Sequence, residues 1–303
     1  MIKNSILEAS MTEEILRRDG LGMRHFRRCV LVAVICILAL AGCSTSKSNV
    51  EASVIDMSEL KGSMNGITLN VATTGTYAPF TYYAENGDDV IGFDLDVISE
   101  LQKLLGFEIA NGKIGVMNAS TITASLAEGK VDMALAALCA TDERKEVMNF
   151  SDTYYDAGQI ILINKETSPS EIKGIDDLIN GTYTVAVETG SAAHIYAQKV
   201  GISEENIKPY NEGPIAFAAL EEGKIDCFIQ DAPGIPYYLK TTPNSKIEMV
   251  GEQFNRGQSP YAIALSFDVC KRYSNIVEVI NAALYELTDN GTMAMLDQKW
   301  CQQ

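Results

Sequence analysis

Four side chains in this sequence offer the chemistry of gripping a small charged molecule: Arg144, Asp231, Glu188 and Tyr77. A guanidinium presents its donors in a fixed planar fork that matches a carboxylate through two parallel bonds. Asp231 offers an acceptor to an ammonium group, Glu188 is a second acid, and Tyr77 adds an aromatic face. One cation, two anions and an aromatic suit a zwitterion. Arg144 is the odd member of its own stretch. Thr141 is a good helix N-cap, and Asp142 and Glu143 favour a helix N-terminus, where the backbone dipole disfavours a cation. Locally, Arg144 fits an anion site and an ordinary charged helix surface equally well. Tyr77 also fits a core position, and Glu188 a solvated acid beside a cleft.

Other chemistries lack their residues. His194 is the only histidine after Cys43, and it lies mid-helix without the partners of a nucleophilic triad or a metal site. The cysteines show no CxxC spacing, so no metal is expected, and no glycine-rich phosphate loop of the usual spacing occurs. No cofactor is expected.

The elements that must position these residues alternate strand and helix. Val131 to Leu138 is almost continuously apolar, as a strand covered on both faces would be. Further strands are expected near 67–71, 107–116, 159–164, 183–187, 207–210, 224–230 and 261–266. Helices are expected from Asp94 to Leu105, near 120–128, and over 175–180, 191–200, 214–222, 271–287 and 292–300. Glu85-Asn86-Gly87-Asp88 has the composition of a hairpin turn. This order predicts an α/β fold with a mostly parallel sheet.

The chain also echoes itself. Leu126-Ala-Glu-Gly-Lys-Val-Asp132 returns as Leu220-Glu-Glu-Gly-Lys-Ile-Asp226, and Val71-Ala-Thr-Thr-Gly-Thr76 returns more weakly around Val185 to Ser191. Each echo keeps the same order, which implies two related lobes. Two α/β lobes make a cleft at the carboxyl ends of their strands. The loops 73–80, 137–144, 188–193 and 230–234 would line it, bringing the four charged and aromatic residues together.

A length of 303 residues accommodates two such lobes. The first 42 residues are different in kind. A basic run from Met23 precedes an apolar run from Val30 to Leu40, the pattern of a secretory signal too short for a membrane span. Leu40-Ala41-Gly42-Cys43 looks like a bacterial lipobox, with Cys43 the lipidated residue and residues 1–22 an extension ahead of the signal. Residues 1–42 hold four acidic and six basic side chains, so from Cys43 onward the balance is about −18, against −16 for the whole chain. That charge argues against nucleic acid as a partner. Residues 43–63 read as a flexible tether. Cys270 and Cys301 flank the C-terminal helices, where an exported protein can form a disulfide.

Several motifs then occur in a familiar order: Thr-Tyr-Ala-Pro-Phe at 76–80, Ile-Gly-Phe-Asp-Leu-Asp at 91–96, Glu-Gly-Lys-Val-Asp at 128–132 and Thr-Asp-Glu-Arg at 141–144. Phe-Ser-Asp-x-Tyr-Tyr at 150–155, Val-x-Thr-Gly-Ser at 187–191, Gln-Asp at 230–231 and Lys299-Trp300 follow. From about residue 66 onward the chain resembles the family 3 solute-binding proteins of polar amino acid ABC transporters. The resemblance implies a type II periplasmic-binding-protein clamshell with two hinge strands. Lobe one would be 64–156 with 256–303, and lobe two 157–255. It implies an amino acid ligand, ABC permease subunits as partners, a monomer, and a lipid anchor on the outer face of the cytoplasmic membrane.

The resemblance also assigns roles. Arg144 matches the arginine that holds the α-carboxylate, and Asp231 the acid that takes the α-amino group. Ala137 and Cys139 match a lobe-one loop touching the ligand, and Ser191 and Ala192 a lobe-two loop whose N–H groups reach the carboxylate. Tyr77 matches an aromatic packed over the ligand. Cys139 stands where members often carry Ser or Thr, Thr74 where many carry Asp, and Ala119 where many are bulkier. Thr74 argues against a histidine or lysine ligand held by that acid, whereas Glu188 in the side-chain pocket suits an amide or a cation. The competing expectation is an enzyme on the same clamshell, similar to cyclohexadienyl dehydratases, and a third is a sensor module for a membrane kinase.

Overall fold

The computed structural model describes residues 57–302 apart from Asn86. The expected signal segment, the expected lipidation site Cys43 and the first part of the expected tether lie outside the described residues. In chain order the elements of the first lobe begin with α1 (Met57–Leu60), β1 (Thr68–Leu69), β2 (Val71–Thr73), β3 (Thr76–Tyr77), β4 (Thr81–Tyr83) and β5 (Val90–Ile91). There follow α2 (Phe93–Leu105), β6 (Glu108–Ile109), β7 (Gly115–Val116), α3 (Ala119–Ala127), β8 (Met133–Ala134), α4 (Asp142–Lys145) and β9 (Met148–Tyr155). The second lobe has β10 (Gln159–Asn164), α5 (Ile175–Asn180), β11 (Val185–Glu188), α6 (Ala192–Val200), β12 (Ile207–Tyr210) and α7 (Gly213–Glu221). It continues with β13 (Cys227–Asp231), α8 (Ile235–Thr241) and β14 (Ile247–Phe254). The chain then returns to the first lobe with β15 (Tyr261–Ser266), α9 (Phe267–Arg272), α10 (Ile276–Asp289) and α11 (Thr292–Trp300).

Each lobe is built on a five-stranded sheet, ordered β7-β2-β8-β15-β9 in the first and β12-β11-β13-β10-β14 in the second. The chain passes between them twice, from β9 to β10 and from β14 to β15. The sheets are mixed rather than mostly parallel. β2 runs parallel to β7 and β8, but β15 is antiparallel to β8 and β9, and β10 is antiparallel to β13 and β14. The reversed strands are the ones flanking the crossings, which re-enter each sheet from the other lobe. Helices cover both faces of each sheet. In β10 the side chains of Ile160 and Leu162 enter one core and those of Ile161 and Ile163 the other, which is why the strand reads as continuously apolar.

The sequence echo has a structural meaning. Asp132 is buried and its Oδ2 accepts from the Asn70 backbone N–H at 2.8 Å, just ahead of β2. Asp226 accepts from the Thr184 N–H at 2.7 Å, just ahead of β11. In each lobe the acid closes the same strand-to-strand junction. Gly129 and Gly223, at φ +68° and +67°, end the preceding helices in the left-handed conformation that other residues avoid.

Two further expectations meet different geometry. Helix α1 falls inside the stretch read as a tether, and the core takes Leu60 and Met64 at 0% and 3% exposure. The Gly62 and Met64 N–H groups donate to the carbonyls of Leu104 and Leu105, so the segment is tied to the end of α2. Cys270 and Cys301 are free thiols, the first against Asn149 and the second against Tyr155 and Asp297, so the disulfide left open by the sequence is not formed in this structure.

Candidate functional site

The ten residues singled out in the folded part line one cavity of about 50 Å³ between the lobes: Thr74, Tyr77, Ala119, Ala137, Cys139, Arg144, Glu188, Ser191, Ala192 and Asp231. The ends of strands and the starts of helices supply them. Glu188 and Asp231 stand at the carboxyl ends of the adjacent parallel strands β11 and β13. Ala119 opens α3, whose Asn118 cap accepts from the Thr121 N–H at 2.9 Å. Arg144 lies in the short α4, capped by Thr141.

Arg144 is 5% exposed. Its Nη1 donates to the Cys139 carbonyl at 2.9 Å, and its Nη2 crosses the cleft to the Gly190 carbonyl at 3.0 Å. Its Nε is buried without a hydrogen-bond partner, and so is the Thr74 hydroxyl. Buried polar groups without a partner are uncommon in folded proteins, and two of the three among the described residues belong to this cavity.

Asp231 is held from several sides. Gln159 Nε2 donates to Oδ1 at 2.8 Å, while the Tyr261 hydroxyl and the Cys139 thiol reach Oδ2 at 3.2 and 3.5 Å. Burial pushes its carboxyl upward, and these donors together with the Arg144 charge oppose that rise. Burial also pushes Glu188 up to about 7, and the negative charge of Asp231 adds to the effect. The Cys139 thiol is raised well above its usual value by burial and by Asp231, so it acts as a weak donor and not as a nucleophile.

The Ala137 loop is fixed from behind. Asp94, in the first turn of α2, accepts from the Ala137 N–H at 2.6 Å and from the Tyr154 hydroxyl at 2.9 Å. This contact holds Ala137 at φ 49°. Burial raises the Asp94 carboxyl to about 7. Across the cleft, Ser191 caps α6 by accepting from the His194 N–H, and its own N–H goes to the Glu188 carbonyl. His194 Nδ1 accepts from the Gly190 N–H at 3.1 Å, a structural role within that turn.

Tyr77 ties the lobes. Its hydroxyl accepts from the Gly234 N–H at 3.0 Å and lies 3.2 Å from the Asp231 carbonyl and 2.9 Å from the Tyr261 hydroxyl. Gly234 approaches the Tyr77 ring so closely that an added Cβ would lie 2.6 Å from it. The Tyr82–Tyr237 hydroxyl contact and the Glu143–Lys199 ion pair add links across the cleft. Sequence reasoning missed Gln159, Gln230, Tyr261 and Asp94. Gln159 and Tyr261 sit in apolar strands where no local pattern marks them, and Asp94 and Gln230 fall inside the motifs at 91–96 and 230–231, which gave them no role of their own. Among the described residues no cluster of three His, Cys, Asp or Glu side chains could hold a metal ion.

The sequence pattern of the bacterial extracellular solute-binding proteins, family 3, matches residues 69–303. The chain belongs to that family. Among curated family 3 relatives, the L-cystine-binding protein TcyJ of Escherichia coli K12 is 26% identical over 92% of this chain and 97% of its own. The arginine-binding extracellular protein ArtP of Bacillus subtilis is 29% identical over 89% and 96%. The B. subtilis glutamine-binding protein GlnH is 25% identical over 93% and 98%. Among solved structures, an ancestral arginine-binding protein bound to arginine superposes with a TM-score of 0.66 at 32% identity, covering 77% of this chain and 97% of that one. This likeness agrees with the two-lobed clamshell and its two hinge crossings.

Proposed function

We propose that this family 3 protein is the receptor of an ABC importer, holding a polar amino acid between its lobes and delivering it to the membrane permease. One observation carries the reading. Arg144 and Asp231 converge on a single cavity at the lobe junction, with an orphaned guanidinium N–H and an orphaned threonine hydroxyl beside them. Arg144 would hold the α-carboxylate and Asp231 the α-ammonium, with Tyr77 packed over the ligand and Ala137, Cys139, Ser191 and Ala192 framing its backbone. Thr74, Ala119 and Glu188 would shape the side-chain pocket. Arg144 bonded to Gly190 and Tyr77 bonded to Gly234 hold the two lobes together across the cavity, so entry requires the lobes to part about the two crossings, 155–159 and 254–261. Lobe one would then be 64–156 with 256–303, and lobe two 157–255.

The relatives described above are named as binding proteins, which favours the receptor reading over the dehydratase one. Cys43 would carry a lipid that keeps a monomeric receptor on the outer face of the membrane, near its permease. Cys43→Ser should move the protein from the membrane fraction to the soluble one; continued lipid labelling of the variant would contradict the anchor. The functional test is a thermal-shift screen of ligand-stripped protein against the twenty amino acids, ornithine and cystine. A ligand that binds only the folded state raises its stability with occupancy. A shift for one or a few polar amino acids is expected, and none for any of them would overturn the reading.

A further inference from the structure

Charge within the cavity is unbalanced. Three of its lining residues are charged: Arg144, Asp231 and Glu188. A zwitterionic amino acid matches its carboxylate to Arg144 and its ammonium to Asp231, and that leaves Glu188. The Glu188 carboxylate accepts from the Gly213 N–H, but none of the ion pairs among the described residues includes it. Closing the cleft over a neutral side chain would bury this carboxylate unmatched beside Asp231, at a substantial desolvation cost. A cationic group on the ligand would remove that cost.

We infer that Glu188 selects a ligand whose side chain ends in a cationic nitrogen, an ammonium or a guanidinium. The inference rests on the amino acid reading above. On the lobe-one side of the cavity Thr74 offers only a hydroxyl, and Glu188 supplies an acid on the lobe-two side. The orphaned Thr74 hydroxyl is then a neutral partner for the same side chain.

The test is calorimetric titration with isosteric pairs, arginine against citrulline and lysine against 2-aminoheptanoic acid, in wild type and Glu188→Gln. Wild type should favour the cationic member of at least one pair by roughly tenfold or more, and the variant should bring that pair to within about threefold. Equal or better binding of the neutral members by wild type would overturn the inference and leave the amino acid reading intact. A preference that survives in Glu188→Gln would overturn the role of Glu188. Binding of none of the four, together with no shift in the amino acid screen, would overturn both.

Wild type alone provides a second readout, independent of how the variant folds. The titratable and charged groups around Glu188 are Asp231, Glu212 and Arg144; in this reading Asp231 and Arg144 meet the α-ammonium and α-carboxylate common to both members of a pair, and Glu188 meets the side chain that differs. The ratio of arginine to citrulline affinity should therefore fall as pH drops through about 7, where Glu188 takes up its proton. A ratio independent of pH between about 6 and 8 would contradict the assignment.

Discussion

Replacing Tyr77 with Phe removes one oxygen from the junction of the lobes and leaves the ring in place. The ring stacks on Phe80 at 5.5 Å between centroids and meets Tyr261 edge-on at 6.4 Å, so packing within the first lobe survives. What is lost is the acceptor for the Gly234 N–H, together with the hydroxyl contacts to Asp231 and Tyr261. Gly234 is buried when the lobes meet, so its N–H is left without a partner, at a cost of about 1–3 kcal/mol. With the lobes apart, that N–H bonds water and the cost vanishes. The substitution therefore penalises only the closed form, the form that holds ligand. Apparent affinity scales with the fraction of competent protein, so the dissociation constant should rise by about 5- to 150-fold. Isothermal titration of wild type and variant measures this directly, with thermal unfolding of the ligand-free proteins as the control. A dissociation constant within about twofold of wild type, with equal unfolding temperatures, would refute the reasoning, because the tie would then carry no closing energy.

Three predictions concern the frame around the cleft. Burial holds the Asp94 carboxyl at about 7 in the folded state, above its unfolded value near 3.8. Its contribution is thus fully present below the unfolded value and is lost as pH rises through about 7. The loss is on the order of 4 kcal/mol. Asp94→Asn mimics the protonated acid, so urea unfolding should show wild type losing ground to the variant between about pH 4 and pH 7; parallel curves would contradict this. Asp132→Ala removes the acceptor of the Asn70 N–H and the partner of the half-exposed Arg272, and should cost about 2–3 kcal/mol. Asp226→Ala, which loses the Thr184 N–H bond without a comparable ion pair, should cost about 1–2 kcal/mol in the same assay.

Much of the architecture was legible because it is written in local chemistry. The helix-stop glycines 129 and 223 and the acids 132 and 226 recur at fixed spacing, and both pairs proved to close equivalent junctions. Strand β10 and helices α5 and α11 fall where periodicity and caps put them. Strand direction was not legible, because β15 meets β8 and β9 only after an excursion of about a hundred residues through the second lobe. Strands β9 and β14 were missed for a related reason. Each lies at the edge of its sheet with few buried side chains, so its pattern lacks a regular apolar period. The charged residues of the cavity were recognisable by type and loop position. Gln159 and Tyr261 were not, since their role is to orient Asp231 from strands that otherwise read as core.

The central claim is that Arg144 holds the α-carboxylate of an amino acid. Calorimetric titration of wild type and Arg144→Ala with the best ligand from the amino acid screen tests it most directly, with the methyl ester of that ligand as a third arm. Removing the guanidinium from a buried charge-assisted pair should cost about 2–5 kcal/mol, a loss of roughly 30- to 4000-fold that takes binding to the edge of detection. The ester should bind wild type poorly for the same reason. Near-native affinity of Arg144→Ala for the free amino acid, or equal affinity of wild type for acid and ester, would contradict the account.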